Sequence, residues 1–257
     1  MSEQNPYQAP ESNVEQVVEI GGLTQPQSVP AGRGMGWITD GFGLFKMAPG
    51  IWIANIVIFF VIVMVLSFIP IVSLLLNLFM PVFTAGFMLG CRDLDEGNDL
   101  QISHLFAGFQ NRTGALVGVG AIYLVMIIIV MVLAFGGMFM TGGGAEIMQN
   151  PEAIENGAMP TAMLLAVLIG TALMIPVVMA YWFAPALIVF NEELGVIEAM
   201  KMSFMGCLKN VIPFLIYGIV AMVLAIIASI PLMLGWLVLG PMLIGSMYVA
   251  YKEIFTE

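Results

Sequence analysis

Six stretches of about 20 residues or longer contain no Asp, Glu, Lys, Arg or His: residues 51–69, 71–90, 114–140, 161–190, 211–230 and 231–251. A helix advances about 1.5 Å per residue, so a run of this length crosses the roughly 30 Å hydrocarbon core of a bilayer. Lipid offers no water to backbone amides, and helices satisfy those amides internally. The predicted fold is therefore an all-α, polytopic membrane bundle of six transmembrane helices. Composition agrees: a 257-residue chain that is 60% hydrophobic and 9% charged has more apolar surface than a water-soluble domain can bury. The first two runs are almost continuous, as are the last two. Pro70 and Pro231 divide them, because proline lacks a backbone donor and disfavours helix in the residue before it.

Direction follows from the seven basic residues, since Lys and Arg in short loops stay on the cytoplasmic side. Arg33 and Lys46 precede the first run, Arg92 and Arg112 separate the second and third, Lys201 and Lys209 separate the fourth and fifth, and Lys252 follows the sixth. The alternate connections carry none. Six crossings with both termini in the cytoplasm is the arrangement this alternation predicts. The net charge of −10 arises largely in the amino-terminal tail and loops, so it says little about partners, and nothing indicates nucleic acid. Residues 1–31, rich in Gln, Ser, Pro and Glu, lack the apolar run of a signal peptide and read as a disordered cytoplasmic tail. Residues 32–257 read as one membrane domain. The Gly-rich connection at 141–160, with Glu146, Glu152 and Glu155, reads as a flexible outer loop. Cys91 and Cys207 fall at cytoplasmic helix ends, where two buried thiols are expected rather than a disulfide.

Shorter apolar stripes at helical spacing precede each pair of runs. They are Met35, Ile38, Phe42 and Phe45; Ile102, Leu105 or Phe106, and Phe109; and Ile197, Met200, Phe204 and Leu208. Each is too short to span and predicts an amphipathic helix in the membrane interface. The chain thus divides into three units, 32–97, 98–191 and 192–257, each an interfacial helix followed by a transmembrane hairpin. The first and third match best: Phe45-Lys46 with Leu208-Lys209, Ser67-Phe68-Ile69-Pro70 with Ala228-Ser229-Ile230-Pro231, and Pro81 with Pro241.

The segment Asn5-Pro6-Tyr7-Gln8-Ala9-Pro10, followed by Gly36-Trp37-Ile38 and Gly43-Leu44-Phe45-Lys46, resembles a group of uncharacterised proteobacterial inner-membrane proteins with an amino-terminal NPYxAP segment. More distantly, the hairpin pattern is similar to the membrane domain fused to some bacterial glycerophosphodiester phosphodiesterases. The resemblance implies a bacterial inner-membrane location. It implies no activity, because the soluble phosphodiesterase domain with its metal-binding acids is absent from this sequence.

Ionisable groups inside a span ordinarily mark proton relays and ion paths, and the six runs have none. Mid-span polarity is limited to Asn55, Asn77, Thr84, Thr171, Tyr181 and Tyr217, which either bond between helices or line a cavity. The lone histidine, His104, cannot complete a zinc site or a catalytic pair, and Glu192-Glu193 lacks the arginine that membrane prenyl-protein proteases place after paired glutamates. No catalytic, cofactor or metal residues are therefore assigned, and no enzyme is expected. Met138-Phe139-Met140 reads as adaptable packing rather than a Cu(I) site. Gly86-x-x-x-Gly90 and Gly114-x-x-x-Gly118 read as close helix packing, or else as a homodimer face. The leading expectation is a non-enzymatic scaffold, assembly factor or lipid-interacting module, with Arg33, Lys46, Arg112, Lys201 and Lys209 contacting anionic headgroups. A membrane-protein partner fits the same reading. The alternative is a transporter or channel for a neutral or amphipathic solute.

Overall fold

The structure is a computed structural model that describes residues 23–140, 149 and 161–256. Residues 1–22 and, save for position 149, the expected outer loop at 141–160 lie outside the described residues. All regular structure among the described residues is helical, in ten helices: α1 (Arg33–Met47), α2 (Pro49–Ser67), α3 (Pro70–Asp95), α4 (His104–Ala107), α5 (Thr113–Met140), α6 (Thr161–Trp182), α7 (Ala184–Phe190), α8 (Val196–Lys209), α9 (Val211–Ser229) and α10 (Trp236–Phe255).

Proline sets three of these starts, the third being α7, with Pro185 in its first turn. Pro49 and Pro70 occupy first-turn positions of α2 and α3, where a missing N–H costs nothing. Only Ala48, in a non-helical conformation, separates α1 from α2. Five segments have the length and composition to cross a membrane: Pro49–Ser67, Leu75–Asp95, Thr113–Met140, Thr161–Phe190 and Val211–Ser229. The sixth expected run differs. Residues 231–235 form a turn, and α10 starts at Trp236 and carries Lys252 and Glu253 near its end. Two features shape that turn. Leu232 and Met233 take left-handed φ values of 51° and 65°, which cost bulky residues energy. Gly235 packs so tightly on α9 that a Cβ there would lie 2.5 Å from the Ala228 Cα.

The expected interfacial segments also differ from one another. α1 and α8 are full amphipathic helices of 15 and 14 residues, whereas the middle segment contains only the four-residue α4. The reason is close packing: a Cβ on Gly108 or Gly86 would strike the Val82 or His104 carbonyl, so the chain lies flat on α3. Each segment packs on a hairpin other than the one that follows it. α1 lies on α9 and α10, the α4 region on α3, and α8 on α6 and α7. Glycines set these approaches, with Gly34 against the Pro213 carbonyl and Gly41 against Met242 and Ser246 of α10. Of the two expected Gly-x-x-x-Gly pairs, Gly86 and Gly90 do face a close neighbour. Gly114 meets no described residue within 4 Å, Gly118 comes within 3.3 Å of the Val196 side chain, and Gly120, six residues beyond Gly114, is the tight contact of α5 against Leu78.

Density is uneven along the bundle axis. Trp37, Trp52, Phe183, Leu187, Ile188 and Phe255 are fully buried near one end. The shafts of α2, α5, α6 and α9 expose long apolar side chains such as Phe60, Ile128, Leu168 and Ile226.

Candidate functional site at the charged end

The packed end is also the charged end, because all seven Lys and Arg residues gather there. The ends of α3, α7 and α10 meet around a cleft of about 430 Å³. Arg92, Asp95 and Glu96 come from α3 and its cap, Phe190 and Asn191 from α7 and its cap, and Tyr248, Tyr251 and Lys252 from α10. Asp95 accepts hydrogen bonds from the Tyr248 hydroxyl at 3.1 Å and from the Lys252 ammonium. Asn191 donates to the Leu187 carbonyl and to the Tyr251 hydroxyl. The Arg92 guanidinium stands over the Phe190 ring at 5.5 Å. Its Nε is buried without a hydrogen-bond partner among the described residues, 3.9 Å from both Asp93 and Glu96.

Asp95, Tyr248 and Lys252 form a wall, and behind it lies a second cleft of about 560 Å³ lined by Asp40, Lys46 and Glu253 among others. Arg33 closes one side of that region, donating to Asp40 at 2.8 Å and to both oxygens of Glu253. Trp37 donates its indole N–H to the same Glu253 carboxylate at 2.8 Å. These bonds hold the Arg33 pKa above its ordinary value, with Glu253 the larger cause and Asp40 the smaller. His104 joins the charged end separately, its Nδ1 accepting from the Gln101 amide and its Nε2 lying 2.9 Å from Asp93.

The first cleft offers paired charges and aromatic faces, and its lining includes no Ser, Cys or His. Among the described residues no three His, Cys, Asp or Glu side chains are grouped to hold a metal ion. Both cysteines are buried and free, and burial pushes the Cys207 thiol up to about 12, so it is not a thiolate near neutrality.

The five expected headgroup cations have separate fates. Arg33 is engaged as described. Arg112, at φ 53°, donates to the carbonyls of Ile188, Asn191 and Leu194 and so fastens the end of α7 to the start of α5. Lys209 donates to the Pro26 carbonyl at 2.9 Å. Lys46 and Lys201 remain exposed and form no ion pair with any described residue. Lys46 lies over the Phe42 ring at 5.2 Å.

The mid-span polar residues do not converge. Asn55 is fully buried, donating to the Gln101 carbonyl at 3.4 Å while its own carbonyl oxygen has no partner among the described residues. Asn77 and Thr171 are exposed on the outer shafts. Thr84 bonds back to the Met80 carbonyl, and Tyr181 meets Thr84 and stacks on Tyr123. Tyr217 is buried and bonds Ser246 at 3.0 Å. Apart from the Thr84–Tyr181 contact, these residues occupy separate places on the bundle.

Sequence reasoning missed the cleft residues Asp95, Tyr248 and Lys252, and the strap that covers α8 and α10. Residues 23–30, at the end of the expected tail, run across the charged end. Thr24 and Gln27 bond the carbonyls of Phe255 and Ile254, and the buried Asn210 exchanges bonds with Val29 and Gln27. A lone Asn between two apolar helices was the available signal, but nothing in the sequence pairs it with residues 180 positions earlier.

A curated protein of Burkholderia thailandensis, named a probable inner membrane protein, is similar to this chain. The two are 29% identical over 255 residues, covering 88% of this chain and 92% of the relative. No known protein family matches, and no solved structure is detectably similar. With the apolar helices, this similarity makes the chain an integral, multi-pass protein of the inner membrane.

Proposed function

We propose that this protein is a non-enzymatic membrane module that rests on anionic lipid headgroups through α1 and α8. The observation that carries this is the pair of amphipathic helices at the charged end, each presenting one exposed lysine, Lys46 or Lys201, that forms neither an ion pair nor a hydrogen bond with any described residue. Exposed apolar residues flank both lysines: Phe42 and Met47 beside Lys46, and Ile197 and Met205 beside Lys201. A side chain with a long apolar stem and a charged head suits that boundary.

In this reading α10 is the sixth crossing, its 20 residues being long enough for the hydrocarbon core, and both termini face the cytoplasm with the charged end. The three-unit organisation receives support from the cyclic packing. The first interfacial helix seats on the third hairpin, the second segment on the first hairpin, and the third helix on the second hairpin. Further support comes from α2 and α9, which have 19 residues each, and from Pro81 and Pro241 inside α3 and α10.

The test is the lipid that co-purifies with the full chain. Replacing Lys46 and Lys201 together by Gln is expected to bring the phosphatidylglycerol share down several-fold toward that of the bulk membrane, since each juxtamembrane cation contributes about 1 kcal/mol of attraction to anionic lipid. A share unchanged from the wild type would sink the proposal.

A further inference from the structure

We infer that the groove between α5, α6 and α8 is a binding site for one anionic phospholipid, with an acyl chain along the groove and the phosphate on Lys201. The inference rests on the headgroup reading above and assigns it a specific place.

Three observations carry it. The groove, about 520 Å³, is walled by Ile122, Met126, Pro176, Ala180, Met200 and Phe204, and its surface is almost wholly apolar. Lys201 is the one charged residue in its lining. That lysine also stands apart from the other six basic residues in its surroundings. Arg33, Arg92 and Lys252 have carboxylates within 4 Å, Arg112 and Lys209 bond carbonyls, and Lys46 shares its cleft with Asp40, Asp95 and Glu253. The nearest acid in sequence, Glu198, makes no ion pair with Lys201.

An unpaired cation at the mouth of an apolar groove complements an anionic amphiphile and nothing more polar. Ile197 and Met205, 59% and 44% exposed, lie beside the mouth and turn it toward lipid rather than water. Met126 and Met200 give the walls unbranched, adaptable side chains that can follow a flexible chain. The volume lies within the range of small-molecule pockets.

Native mass spectrometry of the full chain in detergent, titrated with dioleoyl phosphatidylglycerol and separately with phosphatidylcholine, tests this. The wild type and Lys46→Gln are expected to retain one phosphatidylglycerol more tightly than phosphatidylcholine. Lys201→Gln is expected to bind it about fivefold more weakly, the equivalent of one juxtamembrane cation. Lys201 is exposed, so this change leaves the fold in place. Met126→Phe, which narrows the groove with the lysine intact, is expected to weaken the same binding. If Lys46→Gln weakens binding as much as Lys201→Gln and Met126→Phe leaves it unchanged, the groove is excluded while the headgroup reading stands. If neither lysine matters, or phosphatidylcholine binds equally well, both fail.

Discussion

α3 and α6 both cross the bundle, yet 61% of the apolar window of α3 is buried against 11% of that of α6. Hydrophobicity does not explain the difference, because lipid is as apolar as leucine and gives helices no reason to associate through greasy surface alone. The placement of small side chains does. Along α3, Val82, Ala85, Gly86, Gly90 and Cys91 leave room for the α4 region, α5 and α10 to approach. Along α6, Leu164, Leu165, Val167, Leu168 and Ile169 all point outward. The helix whose small residues face its neighbours becomes the hub, and the helix whose large residues face outward becomes the lipid-facing wall. The same contrast separates the charged end, where glycines and buried aromatics meet, from the outer shafts.

The largest expected break of this contrast is a cavity in the packed end. Trp37→Ala removes a fully buried ring that touches Phe214 and Tyr217 and donates to Glu253, and should cost about 4 kcal/mol. Leu168→Ala on the exposed shaft should cost no more than about 0.5 kcal/mol. Thermal unfolding followed by fluorescence size-exclusion chromatography would measure both, and equal losses would show that the end is no tighter than the shaft.

Next comes overpacking. Gly41→Leu forces a side chain into the α10 backbone at Met242 and Ser246 and should cost about 3 kcal/mol. Gly136→Leu on α5, which meets no described residue within 4 Å, should be neutral or slightly stabilising because glycine weakens a helix interior. The smallest effect sharpens the assignment of the cations. Arg112→Gln strips three carbonyls of a charged donor and should cost about 2 kcal/mol, whereas Lys201→Gln should leave the melting temperature unchanged. A Lys201→Gln protein as unstable as Arg112→Gln would place Lys201 in the structural set.

Much of this was legible in the sequence. Runs of residues free of charge located α2, α3, α5, α6, α7 and α9 to within a few residues, because the requirement for about 20 apolar residues is local. Pro70 fixed the start of α3 for the same local reason. The start of α10 was missed by five residues, since Pro231 is followed by a turn whose left-handed Leu232 and Met233 no propensity favours. At the candidate site, all five basic residues named as headgroup contacts look alike in a sequence. Which of them are free depends on where acids and carbonyls from distant segments arrive: Glu253 reaches Arg33 across 220 positions and Pro26 reaches Lys209 across 183.

The sequence by itself determined that this chain lives in lipid, where its helices run, and that its charge is kept out of their centres, because each of those is a property of a contiguous segment measured against the thickness and polarity of a membrane. Tertiary structure alone decided which helix is the hub, that α1, the α4 region and α8 each pack on helices other than the two that follow them, and that Lys46 and Lys201 stay exposed while Arg33, Arg112 and Lys209 are held. Those are contacts between residues far apart in the chain. In a membrane, where burial of apolar surface gives no preference between partners, they are set by shape and by individual hydrogen bonds.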